Sequence, residues 1–567
     1  MEKIWLIQNA DRLEIEQLAL QLRVTPVVAG LLWRRDLRTL TQTQDFFNPS
    51  VDSMHDPFLM KGMQTAVNAI LTRIENHTPI LIFGDYDVDG TTAASTLTLF
   101  LQEVGAKVTY YIPDREVEGY GVSLKGIDYA ESIGSDLIIT CDCGITANKQ
   151  TDYAKTKGIN VIITDHHIAG AKLPDALAIL NPKQPGCAYP FKGLCGAGVA
   201  FKLTQALTTA LKVSPHLAEQ NLDLIAIGTA ADLVPVTGEN RIILSRGLVL
   251  IEEGTKPGIR ALKETSKLSG KSHLTSSDIV FGLGPRINAV GRLGEATRAV
   301  RLLTARFYDE AMAVAGVMED ENDNRKVIEA GIVDEAIRIS NSRYDPREKH
   351  GLVVYHDGWH HGVIGIVASK LKERYWVPVI VIAINDGIGK GSARSLEGFD
   401  LYEAIATCED LFENFGGHPM AAGLTIKPEN LDEFERRFLE ITQKTITPEM
   451  MNPRLIVEEA IEFDDINSQL IAPLRRLGPF GPGNMRPLFA SRSVSAIGFP
   501  RIVGANHLKF KVRQGRQTLD AIGFGMGEHY ENLISNKPID IAYVITENEW
   551  QGRRTIQLEV KDLKLAD

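Results

Sequence analysis

Between residues 65 and 235 short β-branched runs recur along the chain: ILIF (80–83), KVTYYI (107–112), DLIIT (136–140), NVIIT (160–164) and ALAIL (176–180). Segments of helical spacing separate them. After the first run, Ala94, Leu97, Leu101 and Val104 share one helical face and Gly105 is placed to end the helix. Alternating strands and helices predict a parallel sheet covered on both faces.

The pattern changes on either side of this block. Residues 1–45 have helical spacing without visible chemistry, and Asn48-Pro49-Ser50 breaks it, which predicts a small helical appendage. A long polar stretch, 308–340, predicts a connecting helix. Residues 351–445 again mix strands (GLVVYH, VPVIVIAI) with helices and glycine-rich turns, so a second α/β domain is expected. From about 450 short alternating segments (SVSAIGF, HLKFKVR, IDIAYVIT, TIQLEVKDL) predict a small β-barrel or sandwich. The expected division is 1–45, an α/β catalytic domain over 46–250, a helical linker region over 251–340, a second α/β domain over 341–445, and a β domain over 446–567.

A chain of 567 residues is too long for one ordinary core. No apolar run reaches the roughly 20 residues that span a bilayer, and the start MEKIWLIQNADRLEIEQ is too charged for a signal peptide. A cytoplasmic protein with no membrane partner is expected. The five cysteines, Cys141, Cys143, Cys187, Cys195 and Cys408, suit reduced and mostly buried thiols, and their spacing matches no usual zinc pattern. Net charge is −11, which argues against a protein that coats nucleic acid indiscriminately. The distribution qualifies this. From Arg475 to Arg516 the chain carries nine Lys and Arg residues and no Asp or Glu, with Phe489, Phe499 and Phe510 interleaved, a pattern suited to a polyanion.

The chemistry lies at the strand ends. Asp85, Asp87 and Asp89 follow ILIF, Asp142 follows DLIITC, and Asp165, His166 and His167 follow NVIIT. In a parallel sheet all carboxyl ends open onto one edge, so groups over fifty residues apart converge there. Asp232 closes the apolar segment NLDLIAIGTAADLVPV, a poor place for an unpaired charge. So many carboxylates in one cleft repel unless they take up protons or bind cations. Oxygen ligands with one or two imidazoles suit Mn²⁺ or Mg²⁺, and a shared carboxylate supports a two-metal site.

DYDVDG (85–90), Asp142, the triplet Asp165-His166-His167 and Asp232 together resemble the four signature motifs of the DHH phosphoesterase superfamily. GWHHGVIGIVASKL, GKGSARS and GGHPMAAGLTI, within 350–426, resemble its DHH-associated domain, and PRINAVGRLG (285–294) resembles the branch that degrades single-stranded DNA. The resemblance implies a fold of two α/β domains joined by a long helix, followed by an oligonucleotide-binding (OB) barrel. It implies two divalent cations, Mn²⁺ or Mg²⁺, on Asp85, Asp87, Asp89, Asp142, His166 and Asp232, with Asp142 bridging. His167 then faces the phosphate, and Asp165 orients a neighbouring imidazole. Some members carry a histidine where Phe83 stands, which leaves open the group that completes the first metal site. Ser392, Arg394 and His418 resemble the pocket for the 5′ phosphate of the substrate, with Arg286 and Arg115 helping to hold the same strand end. His356, His360 and His361 are read as turn and helix-start residues ahead of VIGIVASKL.

The activity implied is hydrolysis of single-stranded DNA from its 5′ end to mononucleotides, in repair and recombination, with a helicase and a single-strand-binding protein as partners. The same core also serves relatives that cleave short oligoribonucleotides or other small phosphoesters, and others act as replication scaffolds.

Overall fold

The computed structural model describes residues 3–8, 11–115, 117–535, 537–550 and 553–566. The chain divides into two compact units. One holds Ile7–Glu319 and Ile456–Asp567; the other holds Asp320–Leu455 with the segment up to Leu6. Strand β1 (Ile4–Ile7) pairs with a late strand described below.

In the larger unit, β2 (Ile80–Gly84), β3 (Val108–Tyr111), β4 (Leu137–Cys141), β5 (Asn160–Thr164) and β6 (Ala178–Leu180) form a sheet of order β3-β2-β4-β5-β6. Every pairing is parallel. Alternate residues of β2 serve the two faces: Ile80 and Ile82 join the main core, while Leu81 and Phe83 join a second cluster with Ile127 and Ile138. The helix Val88–Glu103 covers the main face, as its spacing predicts. The helices Pro257–Thr265 and Thr297–Leu303, expected as linker, bury Ile259, Leu262, Val300 and Leu303 in that same core.

The predicted connecting helix runs over Tyr308–Arg343 and carries the chain from one unit into the other. In the smaller unit, β7 (Leu352–Asp357), β8 (Val379–Asn385), β9 (Ile388–Arg394), β10 (Phe412–His418) and β11 (Ala421–Ile426) form a sheet of order β10-β11-β9-β8-β7. Only β7 and β8 are parallel. His356 lies on β7 rather than in a turn, whereas His360 and His361 do precede the helix Ile364–Tyr375.

The last segment begins with β12 (Arg454–Val457), the partner of β1, and β13 (Glu459–Ala460). Then β14 (Phe489–Val503), β15 (His507–Gln514), β16 (Gln517–Gly523), β17 (Ile539–Trp550) and β18 (Arg553–Leu565) close into a barrel, because β14 pairs with both β15 and β17. Closure removes the exposed sheet edges. Leu508, Phe510 and Val512 point inward and Lys509, Lys511 and Arg513 outward, the alternation read from the sequence.

The N-terminal segment is no appendage. Its helices Arg12–Leu22 and Pro26–Trp33 share the barrel's hydrophobic cluster, where Leu18, Val28, Leu31 and Leu32 pack with Phe463, Leu470 and Phe489. Arg35 adds an ion pair to Glu458 (2.7 Å), and Arg241 donates to the carbonyls of Phe46 (3.2 Å) and Leu477 (2.9 Å). Among the described residues no single helix is long and apolar enough to cross a membrane.

Candidate metal centre and phosphate pocket

Local sequence explains how β2 delivers its carboxylates. The strand ends at Gly84, where a side chain would lie 2.9 Å from the Ala94 Cβ. Asp87 caps the next helix, its Oδ1 accepting the Gly90 N–H at 3.0 Å. Gly90 cannot carry a side chain, because a Cβ there would lie 2.6 Å from the Asp85 carbonyl. The tight turn therefore brings Asp85, Asp87 and Asp89 together at one sheet edge.

Asp142 follows β4 and holds a left-handed backbone (φ +62°), a costly conformation for a non-glycine residue and one that concentrates at functional sites. Its N–H is fixed on the Thr164 carbonyl at 2.9 Å. The chain leaving β5 supplies Asp165, His166 and His167. Asp232 comes from the end of the buried helix Leu222–Ala231, not from a strand. The apolar segment before it is thus a core helix that ends at the sheet edge.

These groups meet. The Nε2 atom of His166 is 3.1 Å from Asp142 Oδ1, 3.6 Å from Asp232 Oδ2 and 3.8 Å from Asp89 Oδ2. Three sets, Asp85/Asp87/Asp142, Asp89/His166/Asp232 and Asp142/His166/His167, each place their ligand atoms within 4.8 Å of one another. Asp142 belongs to two of them. No cysteine joins such a set among the described residues, and Phe83 is wholly buried against Tyr111, with ring centroids 5.5 Å apart. Position 83 therefore offers the centre no ligand.

Electrostatics indicate that the centre needs positive charge. Burial, then the neighbouring carboxylates, pushes Asp85 and Asp142 well above the usual carboxylate range. Asp87 and Asp89 are also raised, chiefly by burial. Asp232 is pushed up to about 8 by burial and by Asp89 and Asp87. Burial lowers His166. The buried atoms Asp85 Oδ1, Asp142 Oδ1 and both His166 ring nitrogens have no hydrogen-bond partner. Orphaned buried acceptors of this kind, from carboxylates and an imidazole, fit a pair of hard divalent cations.

Two groups are already supported. Burial is the strongest influence on Asp165 and opposes its ionisation, but the hydrogen bond to His167 Nδ1 (2.8 Å), the His167 charge and the N–H groups of His167 and Ile145 together hold its carboxyl below the usual range. Burial also opposes the charged form of His167, but the Asp165 hydrogen bond with the charges of Asp165, Asp232 and Asp89 together hold its imidazole above the ordinary value. The Asp89 carboxylate accepts the N–H groups of Gly196 (2.6 Å) and Ala197 (2.9 Å) at the start of the helix Gly196–Leu211. None of the motifs read from the sequence names this support. In hindsight its signal is the small-residue run GAG after Cys195, since a Cβ on Gly196 would lie 2.5 Å from the Asp142 Cβ.

The two arginines expected to help hold the 5′ strand end differ. The Arg115 guanidinium stands 5.2 Å from the Tyr86 ring centroid, and its charge favours ionised Asp85. Arg286 is buried and spent: it pairs with Glu319 and donates to the Gly282 carbonyl at 2.7 Å. Tyr120, which sequence reasoning passed over, sets its exposed ring edge-on to His167, with centroids 6.3 Å apart.

The smaller unit holds a separate cluster. His418 pairs with Ala421, and Ala421 with Arg394, so all three lie in one row across β10, β11 and β9. Ser392, two residues from Arg394, shares its face. Arg394 donates to Ser392 Oγ (3.2 Å) and to the Ala393 carbonyl (2.8 Å), and burial lowers its guanidinium pKa. No carboxylate pairs with it among the described residues. The first turn of the helix Ile364–Tyr375 faces it, since a Cβ on Gly365 would lie 3.1 Å from Ser392 Oγ and 3.2 Å from Arg394 Nη2. An unpaired, partly desolvated arginine beside a hydroxyl and a helix start is suited to a phosphate.

Comparison with known proteins decides the family. The model of the DHH family N-terminal domain matches residues 79–229, that of the DHHA1 domain 348–444, and that of the RecJ OB domain 457–562. The single-stranded-DNA-specific exonuclease RecJ of Bacillus subtilis is 40% identical over 99% of this chain and 71% of its own length. The chain belongs to the RecJ family. The RecJ of Escherichia coli is 34% identical, covering 97% of this chain and 98% of its own. The crystal structure of RecJ in complex with Mn²⁺ from Thermus thermophilus matches all of this chain and 80% of that one, with a TM-score of 0.85 at 28% identity.

Proposed function

We propose that this RecJ-family chain is a metal-dependent exonuclease that hydrolyses single-stranded DNA from its 5′ end to mononucleotides. The carrying observation is the convergence of five carboxylates and His166, with orphaned buried acceptors, on one sheet edge. Asp85, Asp87, Asp89, Asp142, His166 and Asp232 would hold two divalent cations, with Asp142 shared. Mn²⁺ or Mg²⁺ bound there supplies positive charge for the phosphoryl oxygens and a water nucleophile near neutral pH. The chain's own groups do the rest. Asp165 keeps His167 oriented and favours its protonated form, which donates to a phosphate oxygen. Gly196 and Ala197 fix the Asp89 carboxylate before any ligand arrives.

Polarity belongs to Ser392, Arg394 and His418, which would hold a terminal 5′ phosphate, with Arg115 helping to hold the same strand end. The outer face of the barrel would track the strand through Arg501, Lys509 and Arg513. A helicase that unwinds duplex and a protein that coats the released strand are the partners this reading implies.

The test is direct. Purified protein with Mn²⁺ is incubated with single and duplex strands, DNA and RNA, labelled at either end. Early release of labelled mononucleotide from the 5′ end of single-stranded DNA alone is expected; release from the 3′ end first, or equal attack on duplex, overturns the reading.

A further inference from the structure

The edge strand β6 delivers a group to the metal centre that neither the motif pattern nor the site above uses. Its last residue, Leu180, pairs with Thr164 of β5, and the Leu180 carbonyl accepts the Asp165 N–H at 3.0 Å. The chain that leaves β6, Asn181-Pro182-Lys183-Gln184, therefore starts beside Asp165-His166-His167 at the same sheet edge.

Every residue of that turn is pinned. The side chain of Asn181 is wholly buried: its Nδ2 donates to the His167 carbonyl at 2.9 Å, and its Oδ1 accepts the Lys183 N–H at 2.7 Å. One amide thus fixes Lys183 relative to His167. The Pro182 carbonyl accepts from Lys192 Nζ at 2.7 Å, and buried Gln184 donates to the Ile179 carbonyl at 2.5 Å. Such bracing costs a buried amide its conformational freedom, yet the residue it presents is an exposed lysine. A lysine kept only for solubility needs no such support.

The ammonium has no ion-pair partner among the described residues, although its charge reaches both His166 and Asp232. We propose that Lys183 contacts the phosphodiester seated on the metal centre, its Nζ meeting a non-bridging phosphate oxygen beside His167. This rests on the reading of the centre as a phosphodiester hydrolase and adds a cation to its substrate-facing side. A free, braced ammonium supplies a point charge where the phosphate gains negative charge during attack.

The alternative role is tuning of the carboxylates, and the two differ in sign. A lysine that acts only on the acidic cluster opposes cation binding, so its removal tightens Mn²⁺ binding without loss of turnover at saturating metal. A lysine that meets the strand makes its removal costly at every Mn²⁺ concentration.

The experiment uses the full chain as wild type, Lys183→Gln and Lys183→Arg, with 5′-labelled single strands at several salt and Mn²⁺ concentrations. Expected for Lys183→Gln is a fall of about tenfold or more in kcat/KM, as for a lost hydrogen bond between charged groups. The slope of log(1/KM) against log salt should be shallower by about 0.7, one phosphate contact on a single strand. Half-saturation by Mn²⁺ should be unchanged or lower, and Lys183→Arg should regain most of the activity. Wild-type kcat/KM and salt slope in Lys183→Gln overturn the proposal. So does a loss fully reversed by added Mn²⁺, which makes the lysine a support for the metal ligands. If the wild type itself shows no Mn²⁺-dependent hydrolysis, the reading of the centre fails and Lys183 falls with it; an active wild type beside an unaffected variant removes Lys183 alone.

Discussion

His166 Nε2 and Asp142 Oδ1 lie 3.1 Å apart, and neither has a hydrogen-bond partner. Two buried ligand atoms so close, each without a hydrogen-bond partner, are near enough to share one ion. About 3 Å is also the separation of neighbouring ligands around an octahedral ion with bonds of about 2.1 Å. The same pair gives the first prediction. Asp142→Asn should lower Mn²⁺-dependent hydrolysis by more than about 10²-fold, beyond the loss typical of a merely supporting group. Without metal the variant should be at least as heat-stable as wild type, because it loses a buried carboxylate that its neighbours repel. Thermal melts with and without Mn²⁺, beside activity, check both halves.

The raised carboxyls set a pH dependence with a definite sign. A group whose folded pKa exceeds its unfolded value stabilises the fold at low pH and loses that contribution as pH rises through the folded value. For Asp232 this window runs from its ordinary value of 3.8 to about 8. Metal-free protein should therefore lose thermal stability between about pH 4 and pH 8, with Asp85 and Asp142 acting in the same direction. Cations displace these protons, so Mn²⁺ should stabilise more at pH 8 than at pH 6 and bind with proton release. Melting temperatures against pH in chelator and in Mn²⁺, with calorimetry in two buffers, measure this; a stabilisation independent of pH contradicts it.

The carboxylates at three strand ends were legible because strand period and connection rules fix where a parallel sheet exposes its carboxyl ends. The origin of Asp232 on a helix was not, since a short apolar run suits a buried strand or a buried helix equally. Support that comes from afar was also hidden: Gly196 grips Asp89 from 107 residues away through a backbone N–H common to nearly every residue, and the side-chain amide of Asn181 grips the backbone carbonyl of His167. Charge read from composition misled where partners lie outside the window. Arg475 pairs with Glu547, and Lys511 faces Asp520 at 3.7 Å. Of the three interleaved phenylalanines, Phe489 and Phe510 are core and only Phe499 is exposed, at 94%. Phe510 follows the inward alternation of its strand, and Phe489 opens β14 in a run of three buried residues, which a count of aromatics alone conceals.

The phosphate pocket predicts a substrate-dependent loss. Among the described residues Arg394 has a hydroxyl and a carbonyl for company but no carboxylate, so a phosphate is an anion its site can take. A hydrogen bond to a charged group is worth about 1.5–3 kcal/mol, or roughly ten- to a hundredfold in kcat/KM. Arg394→Ala should lose that factor on strands with a 5′ phosphate and much less on strands with a 5′ hydroxyl. Parallel rates on the two substrates decide it, and equal losses show that Arg394 does not read the end.

The barrel predicts a separation of grip from chemistry. Deleting it is a poor test, because the helices Arg12–Leu22 and Pro26–Trp33 share its core and would be left with exposed apolar faces. Charge removal on its outer face avoids that. Arg501 and Lys509 are cross-strand partners on β14 and β15, and Arg513 lies further along β15, all exposed. Like charges directly opposite one another cost stability unless an anion joins them, so their neutralisation should leave the fold intact or firmer. With all three changed to Gln, long single strands should bind more weakly and the slope of log affinity against log salt should flatten by about 2, at about 0.7 per phosphate contact. Phe499→Ala should weaken binding separately, with little change in slope, since stacking on an exposed ring is worth about 1–3 kcal/mol per base and releases no counterions. Hydrolysis of a very short oligonucleotide at saturating Mn²⁺ should persist in both variants. Binding to a long strand over a salt series, beside turnover of the short one, measures both quantities, and an unchanged affinity and slope in the triple variant would place the strand somewhere other than this face of β14 and β15.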